Sequence, residues 1–125
     1  MIKVTGFNHV SLLVADTPRA LAFYHGILGL PINAQRPELG FPGAWLELGD
    51  RQQIHLLELP AHDSDRELPE HGGRDRHVAL EVADLEAVIR VFDRTAIDYT
   101  LSRSGRRALF CRDPDGNAIE LIEPP

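Results

Sequence analysis

Three histidines and a glutamate stand out, because each lies where a strand would present it beside packing residues. His9 leads into Val10, Leu12 and Val14, and His77 leads into Val78, Leu80 and Val82. His55 is flanked by Ile54 and Leu56, and Glu120 by Ile119 and Leu121. Neighbouring side chains on a strand leave on opposite faces. The valines, leucines and isoleucines should therefore pack, leaving His9, Ser11 and Leu13, and likewise His77, Ala79 and Glu81, on the other face. Three imidazoles and one carboxylate suit a borderline divalent ion such as Zn, Ni, Fe, Mn or Co. Unpaired polar groups on a buried face are costly, which favours a ligand role over four unrelated side chains.

The four residues are related by a repeat. Asn8-His9-Val10-Ser11-Leu12-Leu13-Val14-Ala15-Asp16 aligns with Arg76-His77-Val78-Ala79-Leu80-Glu81-Val82-Ala83-Asp84. Ile54-His55-Leu56-Leu57-Glu58 aligns in the same order with Ile119-Glu120-Leu121-Ile122-Glu123. A duplicated module follows, spanning about residues 5–59 and again 75–123, with a Pro-, Gly- and charge-rich linker over 60–74.

Each module reads as strand, helix and three further strands, an α+β class given twice as βαβββ. In the first, Phe7–Val14 is a strand, Asp16-Thr17-Pro18 starts a helix, Leu21, Tyr24 and Leu28 form its stripe, and Gly29 stops it. Strands are expected around Ile32–Gln35, Ala44–Leu48 and Gln53–Leu59. In the second, Asp84 caps a helix with the stripe Leu85, Val88, Ile89 and Phe92, and strands fall at Tyr99–Ser102, Arg107–Arg112 and Ala118–Ile122. Asp113-Pro114-Asp115-Gly116-Asn117 is a turn with Gly116 free to adopt positive φ.

Composition narrows the function. The chain has 125 residues, enough for one domain of two half-sized modules. It is 43% hydrophobic and 26% charged, as ordinary globular proteins are. A net charge of −6 with no Lys/Arg stripe disfavours nucleic acid. No apolar run is long enough for a membrane span. No secretory leader is evident, and the single cysteine, Cys111, allows no internal disulfide, so a cytoplasmic setting is expected.

On its NHVSLLVAD opening, the helix end FYHGILGL, the second opening RHVALEVAD and the close FCRDPDGNAIELIE, the chain resembles the vicinal oxygen chelate superfamily. That group includes glyoxalase I, fosfomycin-resistance thiol transferases, bleomycin-binding proteins and extradiol dioxygenases. The resemblance implies a cup-shaped mixed sheet with helices outside and a divalent metal held by His9, His55, His77 and Glu120. Ni, Zn or Co would suit a glyoxalase-like lyase or isomerase acting on a small substrate with vicinal oxygens, and Fe or Mn the alternatives. In glyoxalase-I-like members the last-strand glutamate also moves the proton, so Glu120 would be ligand and catalytic base. The chain departs from glyoxalase I at His55, where a glutamate is usual. Without His55, the remaining His9, His77 and Glu120 match the set of the transferases and dioxygenases. A dioxygenase, a fosfomycin-type transferase with an anion site among Arg74, Arg76, Arg106 and Arg107, and a non-catalytic binder are the competing readings.

In relatives of this size the site commonly forms between two chains, His9 and His55 from one and His77 and Glu120 from the other, so a homodimer is expected. Among other residues, His25 reads as packing or surface, and His62 and His71 as solvated linker. Trp45 and Phe110 read as core, Glu58 and Glu123 as structural, and Cys111 as a small buried hydrophobe.

Overall fold

The computed structural model describes residues 1–125, which divide into two units, Met1–Ser64 and Asp65–Pro125. Each unit is a small mixed sheet with a helix, and the α+β class is as the sequence predicts.

In the first unit, β1 (His9–Val14) leads to α1 (Thr17–Leu21), whose start is set by Asp16 accepting the Arg19 N–H and by Pro18 in the first turn. The helix continues with π-type bonding over Ala22–Ile27, as in the Leu28 N–H to Phe23 carbonyl bond of 2.9 Å. Both Phe23 and Tyr24 are thereby buried, whereas Leu21 and Leu28 of the expected stripe are half-buried. β2 (Gly43–Leu48) and β3 (Gln52–Glu58) complete a sheet of order β1-β3-β2, with β1 parallel and β2 antiparallel to β3. Val14, Ala44, Leu46, Ile54 and Leu56 form the buried face. The strand expected at Ile32–Gln35 shrinks to one bridge, Ile32 to Leu46. Asn33 Oδ1 accepts the Gln35 N–H at 2.7 Å, and this local turn ends the pairing.

The second unit opens with a 3₁₀ turn at Gly72–Arg74, then β4 (His77–Glu81) and α2 (Leu85–Thr95). Asp84 caps α2 by accepting the Ala87 N–H at 3.2 Å. β5 (Thr100–Leu101), β6 (Ala108–Arg112) and β7 (Ala118–Ile122) follow, in the order β4-β7-β6-β5. Between β6 and β7 the Asp113 carboxylate accepts the N–H groups of Asp115 and Asn117, both at 2.9 Å, and Gly116 takes φ 86°. Leu80, Leu85, Phe92, Leu109, Ile119 and Leu121 are the core.

The repeat persists in strand register. On β1 and β3, His9 faces Gln53 and Ser11 faces His55; on β4 and β7, His77 faces Ala118 and Ala79 faces Glu120. Trp45 stands opposite His55 as Phe110 stands opposite Glu120.

Candidate metal and substrate site

The open face of the first sheet carries His9, Ser11, Trp45, Glu47, Gln53 and His55. His55 is sandwiched between two rings. His9 stacks on it at a centroid distance of 3.9 Å and 17°, and Trp45 at 4.3 Å and 8°. Burial, then the neighbouring His9 and Arg36, hold the His55 imidazole below its ordinary pKa and favour its neutral form. His55 Nε2 meets Gln53 Oε1 at 2.8 Å, and His9 Nδ1 meets Asn8 Oδ1 at 2.7 Å. Half-buried Trp45 is a correction to the core reading, because it lies on the face of the candidate ligands.

In the second unit His77 Nε2 stands 3.2 Å from Glu120 Oε1. His77 Nδ1 lies 2.9 Å from the Asp75 carbonyl oxygen. A carbonyl only accepts, so Nδ1 carries a hydrogen and Nε2 is the ring nitrogen that meets the carboxylate. An imidazole nitrogen and a carboxylate oxygen so placed can share a proton or hold a divalent cation between them. Their 3.2 Å spacing is also what two donors at about 2.0–2.2 Å from one ion subtend at tetrahedral or octahedral angles. Glu120 is only 2% exposed, and its Oε2 is buried without a hydrogen bond, 3.7 Å from Arg106 Nη2. Such an orphaned carboxylate oxygen on an otherwise packed strand is costly unless a ligand uses it.

The four expected residues thus form two pairs, His9 with His55 and His77 with Glu120. Nowhere in the chain do three or more His, Cys, Asp or Glu side chains gather as a metal cluster. Each pair fits half of a divalent-ion site in donor chemistry.

His71 is not the solvated linker residue expected. It is 7% exposed, bonded through Nδ1 to Thr100 Oγ1 at 2.6 Å, and edge-on to Phe110 at 4.9 Å. The close fit needs Gly73, where a Cβ would lie 2.8 Å from His71 Nε2. Burial, then Arg103 and Arg74, lower the pKa of His71. His77 approaches the same Phe110 ring edge-on at 5.1 Å, so this buried aromatic stands beside the candidate ligands as Trp45 does in the first unit. Glu58 and Glu123 are structural, as expected. Glu58 Oε1 accepts the Thr17 N–H at 2.8 Å, and Glu123 pairs with Arg107.

Sequence reasoning missed Glu47 and Gln53. The alternation in Gly43–Leu48 that buries Ala44 and Leu46 also puts Trp45 and Glu47 on the open face, and that signal was available.

Comparison with known proteins decides the family. The family model described as the Glyoxalase/Bleomycin resistance protein/Dioxygenase superfamily matches residues 6–121. The chain belongs to this superfamily. It is 32% identical to "Glyoxylase I 4" of Arabidopsis thaliana over 126 residues, covering 96% of this chain and 71% of that protein. It is 28% identical to the glutathione transferase FosA of Serratia marcescens, covering 91% and 77%. A glyoxalase family protein from Bacillus anthracis shares the fold with a TM-score of 0.78 at 22% identity, covering 100% of this chain and 99% of that one. No helix is long and apolar enough to cross a membrane.

Proposed function

We propose that this superfamily member is a metal-dependent, glyoxalase-like lyase or isomerase. Its ion would be held by His9 and His55 of one copy with His77 and Glu120 of a second copy, in a homodimer with two symmetric sites. The observation that carries this reading is His77 Nε2 standing 3.2 Å from Glu120 Oε1, beside a buried Oε2 with no hydrogen bond. The register-equivalent positions of the first unit carry the His9–His55 pair.

A divalent ion bound there would supply Lewis acidity, polarising two neighbouring substrate oxygens and stabilising the negative charge that develops beside them. Within the chain the two carboxylate oxygens of Glu120 divide the work. Oε1, facing His77, serves as ligand, and Oε2 takes the proton from the carbon next to the substrate oxygens. The Asp75 carbonyl holds His77 in the Nδ1–H tautomer. Arg106 balances the carboxylate charge from 3.7 Å. Trp45 and Phe110 supply flat apolar walls beside the reacting atoms. Nickel, zinc or cobalt fits a set rich in imidazole. The buried lone cysteine fits a cytoplasmic setting.

A second reading, thiol transfer to an anionic oxygenated substrate, is favoured by the Arg106 guanidinium standing beside Glu120. Metal content per chain in tag-free protein, followed by assay with a thiol hemiacetal of a 2-oxoaldehyde, tests the primary reading. About one Ni, Zn or Co per chain with isomerisation is expected. Manganese or iron with thiol transfer to an epoxide supports the second. No metal after soaking with each ion overturns both, and a monomer in sedimentation equilibrium overturns the shared site.

A further inference from the structure

The Glu47–Gln53–His55 chain of bonds has a direction that chemistry fixes. Asn33 Oδ1 accepts the Gln35 backbone N–H at 2.7 Å, so the Asn33 amide nitrogen points the other way and donates to Glu47 Oε1 at 2.6 Å. The same carboxylate oxygen accepts Gln53 Nε2 at 2.9 Å. A carboxylate has nothing to donate, so the Gln53 amide cannot be reversed without setting two acceptors against each other. Gln53 Oε1 must then face His55, where it meets Nε2 at 2.8 Å. That oxygen only accepts, so the His55 hydrogen sits on Nε2.

We propose that Glu47, acting through Gln53, is a positioning residue that locks His55 in the Nε2–H tautomer and leaves Nδ1 as the atom that ligates the metal. The ligation half rests on the function proposed above, whereas the tautomer half does not. The device belongs to the first unit alone, where a histidine replaces the glutamate usual in glyoxalase I. A carboxylate ligand has two equivalent oxygens and needs no tautomer fixed. An imidazole has two unlike nitrogens, and one of them must be occupied before the other is dependable as a ligand. In the second unit, where Glu120 holds the equivalent place, the register positions of Gln53 and Glu47 are filled by Ala118 and Arg112, and no such relay exists. His55 would thus ligate through Nδ1 and His77 through Nε2.

The test reads the ring nitrogens directly, by long-range proton–nitrogen correlation on labelled full-length protein at mildly alkaline pH. Metal-free wild type should show His55 as a single Nε2–H tautomer. Glu47→Leu and Gln53→Leu should each populate the other tautomer, while His25, whose Nδ1 bonds the Leu30 carbonyl, stays unchanged as a control for folding. Adding one equivalent of Zn(II) should move the His55 Nδ1 resonance in wild type. The variants should bind Zn(II) on the order of 10–100-fold more weakly in competition with a chromogenic chelator. An Nδ1–H tautomer in wild type, or variants whose His55 ring is unchanged, overturns the relay. Zn(II) bound with the His55 Nδ1 resonance unmoved overturns the ligation half. A protein that binds no Zn(II) fails the function proposed above, and the metal-free spectra then still decide the relay.

Discussion

Arg112 donates through Nη1 to Asp75 Oδ2 at 2.8 Å and through Nη2 to the Pro69 carbonyl at 2.6 Å, so the end of β6 clamps the segment that leads into β4. Arg66 adds a second fork to Asp75, at 2.9 and 3.3 Å. The bonds from Arg66 and then Arg112, against the opposing effect of burial, hold the Asp75 carboxyl at about 2, below its ordinary 3.8. The folded state therefore binds fewer protons than the unfolded chain between these values. The clamp's contribution should be complete above pH 4 and fade as pH falls towards 2. Asp75→Asn should be less stable at neutral pH, by about 2 kcal/mol, since charged hydrogen bonds are lost. Its deficit in thermal unfolding should close in that acid window. A deficit independent of pH would contradict the assignment.

Glu120→Gln tests the division of labour in the second unit. The amide keeps an oxygen and the shape of the side chain, but it cannot take a proton. Turnover should fall by about 10²-fold or more, the usual contribution of a positioned base. Metal affinity, measured separately by calorimetry, should fall less steeply than turnover. Equal activity would remove Glu120 as the base.

Glu58 joins the end of β3 to the start of α1, by accepting the Thr17 N–H. Glu58→Ala leaves that N–H without its partner at a helix N-terminus and should destabilise the protein by about 1 kcal/mol. Metal binding, if the sites fold intact, should be unaffected once the protein is folded, because Glu58 lies on the face opposite His55. Denaturant unfolding with parallel metal titration separates the two.

How much of this was legible in the sequence follows from what period-two alternation can and cannot encode. It assigned His55 and Glu120 to the open faces because their neighbours are apolar on both sides, and His9 and His77 because each leads into a run that alternates packing residues. The π-type continuation at Ala22–Ile27 left no sign, since a widened turn is chosen by packing of Phe23 and Tyr24 rather than by local propensity. His71 looked like solvated linker because its neighbours are Pro, Gly and charge. Its burial depends on Thr100 and Phe110, distant in sequence. The Glu47–Gln53 contact needed the register of β2 on β3, which pairing sets and composition does not announce.

Burial first, and then the nearby Asp113, pushes the Cys111 thiol up to about 12. The thiolate is the reactive form, so Cys111 should resist alkylation at pH 8 in the native protein and react on unfolding. Mass spectrometry of iodoacetamide-treated protein, with and without denaturant, checks this. Rapid native labelling would show that the β6 strand opens.

Trp45 is the chain's one tryptophan, and it lies face to face with His55 at 4.3 Å. An indole in van der Waals contact with an imidazole has its emission governed by that ring's charge and orientation. The protein therefore carries an intrinsic fluorescent reporter at one of its candidate ligands. Occupancy can be followed optically, without a dye or an added label, against no background from any other tryptophan.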